Sequence, residues 1–148
     1  MLSRTGTYAL QAALNLARRG GERNVTATAM AEELGIPRTY LAKVLQRLAQ
    51  EGLLASTRGA GGGYRLTTRP EVLTVAAVIA PFQELQPNRD CLLGGVCDPR
   101  DPCSAHRRRE RWTAEVLSVL ERTTLSDLLT EPPVRCESVA PTHPEVSP

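Results

Sequence analysis

The chain has 148 residues, with 41% hydrophobic and 23% charged content, which suits a single soluble domain and excludes a fibrous or low-complexity chain. Only five residues are aromatic (Tyr8, Tyr40, Tyr64, Phe82 and Trp112), so the core must be built from Leu, Val and Ala, which argues for closely approaching helices over a β-sandwich. The net charge of +2 conceals an asymmetry: residues 1–69 carry ten Lys/Arg against four Asp/Glu, net +6, and residues 70–148 carry eight against twelve, net −4, and a basic half suits a polyanion such as nucleic acid.

Residues 3–19 (SRTGTYALQAALNLARR) place Leu10, Ala13, Leu14 and Ala17 at helical spacing, with Gly20 and Gly21 as a stop. A second, short helix is read from Thr28 to Leu34, closed by Gly35 in the left-handed position that glycine accepts without a Cβ penalty. Pro37 opens a third helix, to Gln50, at the turn where a missing N–H costs nothing. Its stripe Leu41, Val44, Leu45, Leu48 faces a core. The opposite face then carries Thr39, Ala42, Lys43, Gln46 and Gln50, with Arg38 near the start. Leu53–Thr57 and Tyr64–Leu66 read as two short strands joined by the glycine-rich turn Arg58-Gly59-Ala60-Gly61-Gly62-Gly63. Three helices followed by a hairpin are the order of a winged helix-turn-helix.

Residues 74–80 form a short apolar helix with Thr74 as N-cap. The segment from Pro87 to Pro102 is dense in Pro, Gly, Asp and Asn and reads as a loop. Helicity resumes near Cys103 and runs through Trp112, Val116, Leu117 and Leu120 to Arg122, and residues 124–129 add one more turn. Three regions are therefore expected: a DNA-binding domain at 1–69, a loop and long helix at 70–130, and a disordered tail at 131–148, where prolines abound and apolar residues are few. No apolar run approaches the roughly 18 residues of a membrane span, and the N-terminus lacks a secretory h-region. A cytoplasmic protein is expected.

The glycine run does not fit a phosphate-cradling enzyme loop. No Lys-Ser/Thr follows it, and Tyr64 stands where a dinucleotide fingerprint needs its third glycine. In a wing, Gly61 and Gly62 let the turn lie against a sugar-phosphate backbone and let Arg58 reach phosphates or a narrow minor groove; the alternative is a hairpin tip with no ligand. On the third helix, Gln46 suits adenine, Lys43 guanine, and Thr39 a phosphate or a thymine methyl.

Cys91, Cys97 and Cys103 form Cys-x5-Cys-x5-Cys, and His106 follows three positions on. Cysteines six apart cannot share a helix face, but in a Gly/Pro loop they can wrap a centre, and Cys103 and His106 share a face if the helix starts there. Thiolates select zinc, Cu(I) or an iron–sulfur cluster. Zinc ligands usually come in pairs spaced by two to four residues, so the longer spacing favours a larger group, and a [2Fe-2S] centre held by three Cys and one His fits best. A zinc staple or a metal-free thiol switch remains the alternative. Disulfides are disfavoured in a reducing cytosol. The run Arg107-Arg108-Arg109, Arg111 reads as a solvated helix face, and Cys136 and His143 are given no role. A cysteine enzyme or electron carrier would need a base beside the thiol; His106 qualifies, yet nothing suggests a substrate pocket, and no enzyme is expected.

Gly35-Ile36-Pro37, Tyr40-Leu41, the wing Arg58-Gly59 to Gly63-Tyr64 and the cysteine loop together resemble the Rrf-type winged-helix regulators, which include the iron–sulfur cluster regulator and the nitric-oxide-sensing repressor of bacteria. The resemblance covers residues 1–130. It implies a transcriptional regulator controlled by an iron–sulfur cluster, acting as a homodimer joined through the long C-terminal helices on a pseudo-palindromic site in double-stranded DNA. Cys91, Cys97 and Cys103 match the cluster cysteines and His106 the fourth ligand of [2Fe-2S] members. Members with a [4Fe-4S] centre use an acid just before the tyrosine that matches Tyr8. Thr7 stands there, a poor iron ligand, which favours His106.

Overall fold

A computed structural model describes residues 2–85, 98 and 100–130. Among the described residues, six helices and one hairpin run in the order α1 (Arg4–Arg18), α2 (Ala27–Leu34), α3 (Arg38–Gln50), β1 (Leu54–Thr57), β2 (Gly63–Leu66), α4 (Val75–Ile79), α5 (Ser104–Arg122) and α6 (Leu125–Thr130), with a 3-10 turn at Ala80–Phe82 after α4. Small residues on α1 allow close packing: Ala9, Ala12, Ala13 and Ala17 are buried beside Leu16, and α1 touches α2, α3, α4, α6 and β2. Leu41, Val44, Leu45 and Leu48 of α3 are buried in the same core, as the spacing required. Leu73, Val78 and Leu125 join it, so the segment that follows the hairpin is packed into the body that carries the first three helices.

The sequence-derived ends shift by a residue or two. The second helix begins at Ala27, one residue before the expected Thr28, because the Thr26 hydroxyl accepts the Ala29 N–H at 3.2 Å and caps it. Pro37 is itself the cap residue, its ψ of 125° lying outside the helical range, and Arg38 is the first helical residue. Gly35 adopts φ 64°, ψ 26° as expected, and the Ile36 N–H returns to the Ala31 carbonyl. Thr74 caps α4 through the Ala77 N–H.

β1 and β2 pair antiparallel, Leu54 opposite Leu66 and Thr57 opposite Gly63. A third pairing was not legible in the sequence: Val25, between α1 and α2, bridges to Tyr64, with N–H···O distances of 2.9 and 2.8 Å. Gly62 is buried, and a Cβ there would lie 2.3 Å from the Thr57 carbonyl oxygen. Gly62→Ala is therefore expected to destabilise the protein by about 1–3 kcal/mol, read as a lower denaturant midpoint.

Two clasps hold the ends of the body. The Ser3 N–H donates to the Gln83 amide oxygen at 2.6 Å while the Ser3 hydroxyl caps α1 through the Gly6 N–H. Gly6 has no side chain to obstruct Gln83, whose oxygen would lie 3.0 Å from a Cβ at that position. At the other end, Thr74 bridges to Thr124; the Val75 N–H meets the Thr123 carbonyl and the Leu125 N–H the Leu73 carbonyl, both at 2.9 Å. Asp127 accepts from the Thr124 N–H and hydroxyl at 2.8 Å, and the Asp127 N–H returns to that hydroxyl, a reciprocal cap for α6.

These bonds to Thr124 hold the Asp127 carboxyl below its usual range. On α2, hydrogen bonds from Asn15 and then from Arg19 do the same for Glu33. A carboxyl whose pKa is depressed on folding adds stability above its unfolded pKa and loses it as pH falls through the folded one. Acidification below the ordinary carboxylate range should thus lower the denaturant midpoint, and Asp127→Asn should flatten part of that dependence.

Candidate nucleic-acid interface and metal centre

The stripe that fixes α3 in the core also decides what it shows to solvent. Arg38, Thr39, Lys43 and Gln46 are all exposed, on the side away from buried Leu41, Val44, Leu45 and Leu48. No acid stands in the first turn of α3, so nothing there repels a polyanion. Arg58 and Gly61 are exposed in the turn between β1 and β2. The Gly61 carbonyl accepts from the Asn24 amide at 3.2 Å, which braces the tip against the segment that carries Val25. Gly62 sits differently from the open glycine the sequence suggested: it is buried and its N–H is spent on the Gly59 carbonyl at 3.0 Å. Its missing side chain serves the closure of the turn.

Sequence reasoning passed over a cluster beside α3. The Thr5 and Tyr40 hydroxyls lie 2.6 Å apart, and the Tyr8 and Tyr40 rings meet edge to face with centroids 5.5 Å apart. Arg4 donates from Nε to the Tyr8 hydroxyl at 3.0 Å, its guanidinium 5.7 Å from that ring's centroid. The available signal was that Tyr8 and Tyr40, two of five aromatics, fall outside the Leu/Val/Ala core stripes.

Of the four residues expected to hold a metal group, Cys91 and Cys97 lie outside the described residues. Cys103 is the N-cap of α5, and its Sγ accepts the His106 N–H at 3.4 Å. The sulfur thus stands at the positive end of the helix dipole, a position that suits an anionic ligand atom. His106 is the only buried residue of α5. Its Nε2 lies 3.3 Å from Glu110 Oε1, while Nδ1 is buried with no hydrogen-bond partner among the described residues. Glu110 stands behind Nε2, and a carboxylate behind a ligating imidazole is a usual second partner at metal sites, where it orients the ring so that the other nitrogen can bind. The pair fits a thiolate–imidazole donor set. Among the described residues no three His, Cys, Asp or Glu converge, as two of the cysteines are outside them. The Thr7 hydroxyl donates to the Ser3 carbonyl at 3.1 Å, engaged within α1.

A recognition helix held behind a tight left-handed turn, beside a braced hairpin, defines a winged helix-turn-helix transcription regulator that binds DNA. Comparison with known proteins agrees. The family model described as "Rrf2: Iron-dependent Transcriptional regulator" matches residues 2–131, and the chain belongs to the Rrf2 family. The HTH-type transcriptional regulator IscR of Vibrio parahaemolyticus is 31% identical over 130 residues, 88% of this chain and 77% of its own; the IscR of Yersinia enterocolitica is 32% identical over 128 residues, 86% and 78%. Among solved structures, CymR of B. subtilis, the global cysteine regulator, superposes with a TM-score of 0.77 at 28% identity, covering 90% of this chain and 98% of that one. T. potens IscR gives 0.71 at 29%, covering 87% and 85%. No helix among the described residues is long and apolar enough to cross a membrane.

Proposed function

We propose that this regulator binds its operator as a homodimer and that the binding is controlled by an iron–sulfur cluster held by Cys91, Cys97, Cys103 and His106, with [2Fe-2S] the nuclearity these donors suit and [4Fe-4S] the alternative. The observation that carries the reading is the buried Nδ1 of His106, without a partner among the described residues and one turn from the Cys103 thiol. An unsatisfied buried acceptor costs about 1–3 kcal/mol, and a metal ligand role removes that cost. Such a cluster, when bound, supplies a centre that responds to redox state, nitric oxide or cluster supply. The chain's own part is to orient the imidazole through Glu110, to keep the Cys103 sulfur at the head of α5, and to connect α5 to the body through Thr123, Thr124 and Leu125. A useful switch needs a difference of only about 1–3 kcal/mol between two states.

The dimer rests on α5. Trp112 and Val119 are 61% and 54% exposed and, with Val116, lie on one face of α5. An apolar stripe of that kind is a seam for a second copy, which sets two α3 helices at half-sites about one DNA turn apart. Arg38, Thr39, Lys43 and Gln46 then enter the major groove, while Arg58 and the exposed tip at Gly61 lie along the backbone, with buried Gly62 closing the turn behind them. The binding compartment is the cytoplasm.

The test is anaerobic purification of the full chain followed by visible spectra and iron and sulfide analysis. A coloured protein with iron and sulfide supports the reading; a colourless one with zinc, or with no metal, overturns it. The second outcome belongs to a thiol or zinc switch, favoured by the likeness to CymR, one of whose structures is an oxidized form at TM-score 0.72.

A further inference from the structure

The cluster of Arg4, Thr5, Tyr8 and Tyr40 lies at the edge of the core, where half-buried Tyr8 packs against it, and it is held together by bonds of its own. Arg4 is fixed by its Nε bond to Tyr8 and by the ring beneath it. No carboxylate pairs with it among the described residues, and the first turns of α1 and α3 contain no acid. Both terminal nitrogens of its guanidinium are therefore available.

The hydroxyls add to this surplus of donors. Tyr8 accepts from Arg4, so its own hydrogen remains to be given elsewhere. In the Thr5–Tyr40 pair at 2.6 Å one hydroxyl donates to the other, and whichever does so, the second keeps a free hydrogen. The result is an exposed cationic fork flanked by two hydroxyl groups that each can supply an O–H donor, matched to an oxyanion with several acceptor oxygens. Its place selects the ligand. Tyr40 adjoins Thr39 at the edge of the exposed face of α3 and is 38% exposed, so whatever α3 faces also faces the cluster.

We infer that Arg4, Tyr8 and the Thr5–Tyr40 pair form a clamp for a backbone phosphate of the duplex next to the groove that α3 reads, tying α1 directly to DNA. The inference rests on the DNA-binding reading of α3 and adds an anchor on a helix to which no such role is otherwise given.

The test measures the salt dependence of binding by the full chain to a roughly 30-bp duplex selected from a random pool, and to a mixed-sequence duplex of the same length. Arg4→Ala should weaken binding to both duplexes alike, about tenfold, and should reduce the slope of log Kd against log salt by about 0.9 for each phosphate no longer neutralised. Arg4→Lys should keep the slope, and Tyr8→Phe should weaken binding a few-fold at unchanged slope. Retention of the wild-type slope and affinity by Arg4→Ala, while Arg58→Ala loses both, overturns the clamp and leaves the regulator reading intact. Failure of the wild-type chain to bind either duplex overturns both. Displacement of the duplex by millimolar inorganic phosphate in the wild type but not in Arg4→Ala would identify a small-anion site and also overturn the clamp.

Discussion

Cys103→Ser is expected to fold with an undiminished denaturant midpoint and to lose its iron and sulfide, at least about tenfold relative to the parent chain. The two effects separate because Cys103 has two jobs. As the cap of α5 it accepts the His106 N–H, and a serine hydroxyl does this as well or better. As a donor to iron it supplies a thiolate, which serine cannot replace. His106→Ala should give the same loss of iron, with some loss of stability because the imidazole is buried. Operator binding by both variants should then no longer respond to oxidant or nitric oxide. Iron content equal to the parent in both variants would contradict the assignment.

The second large effect concerns sequence discrimination. Gln46→Ala is expected to lose about 1–3 kcal/mol of preference at one base position, with little change in the affinity for mixed-sequence DNA. Arg58→Ala should weaken binding to every duplex and make its salt dependence shallower. The contrast follows from where the two side chains stand: Gln46 on the exposed face of α3, Arg58 in the turn between the strands. Competition binding against single-base operator variants separates them. Equal effects of the two substitutions on mixed-sequence DNA would contradict the groove assignment.

The helices of the DNA-binding body were legible because their signals are local. The stripe from Leu41 to Leu48, the left-handed Gly35 and the Thr74 cap are each fixed within a turn or two of chain, and the winged-helix order and family resemblance follow from them. Val25 was not legible, since one residue bridging to Tyr64 has no period to detect. Gly62 was read as open to DNA because a glycine run does not say which member is turned inward; only the folded hairpin puts the Thr57 carbonyl where a Cβ would be. The Arg4–Tyr8–Tyr40 cluster joins residues far apart in the chain, and no spacing rule reaches across α2. For the metal centre, the i, i+3 relation of Cys103 and His106 was read from sequence, and the structure adds that the cysteine caps the helix and the histidine is buried against Glu110.

The bond between Ser3 and Gln83 gives the molecule a tether with no slack. Gln83 stands eight residues before Cys91, and its amide oxygen accepts from Ser3, the cap of α1, whose first turn holds Tyr40 through Thr5. Strain that reached Gln83 would load this one 2.6 Å bond, worth about 0.5–1.5 kcal/mol, before it reached the head of α1 and, through Thr5, the edge of α3. One glutamine side chain thus splices the segment after α4 to the start of α1.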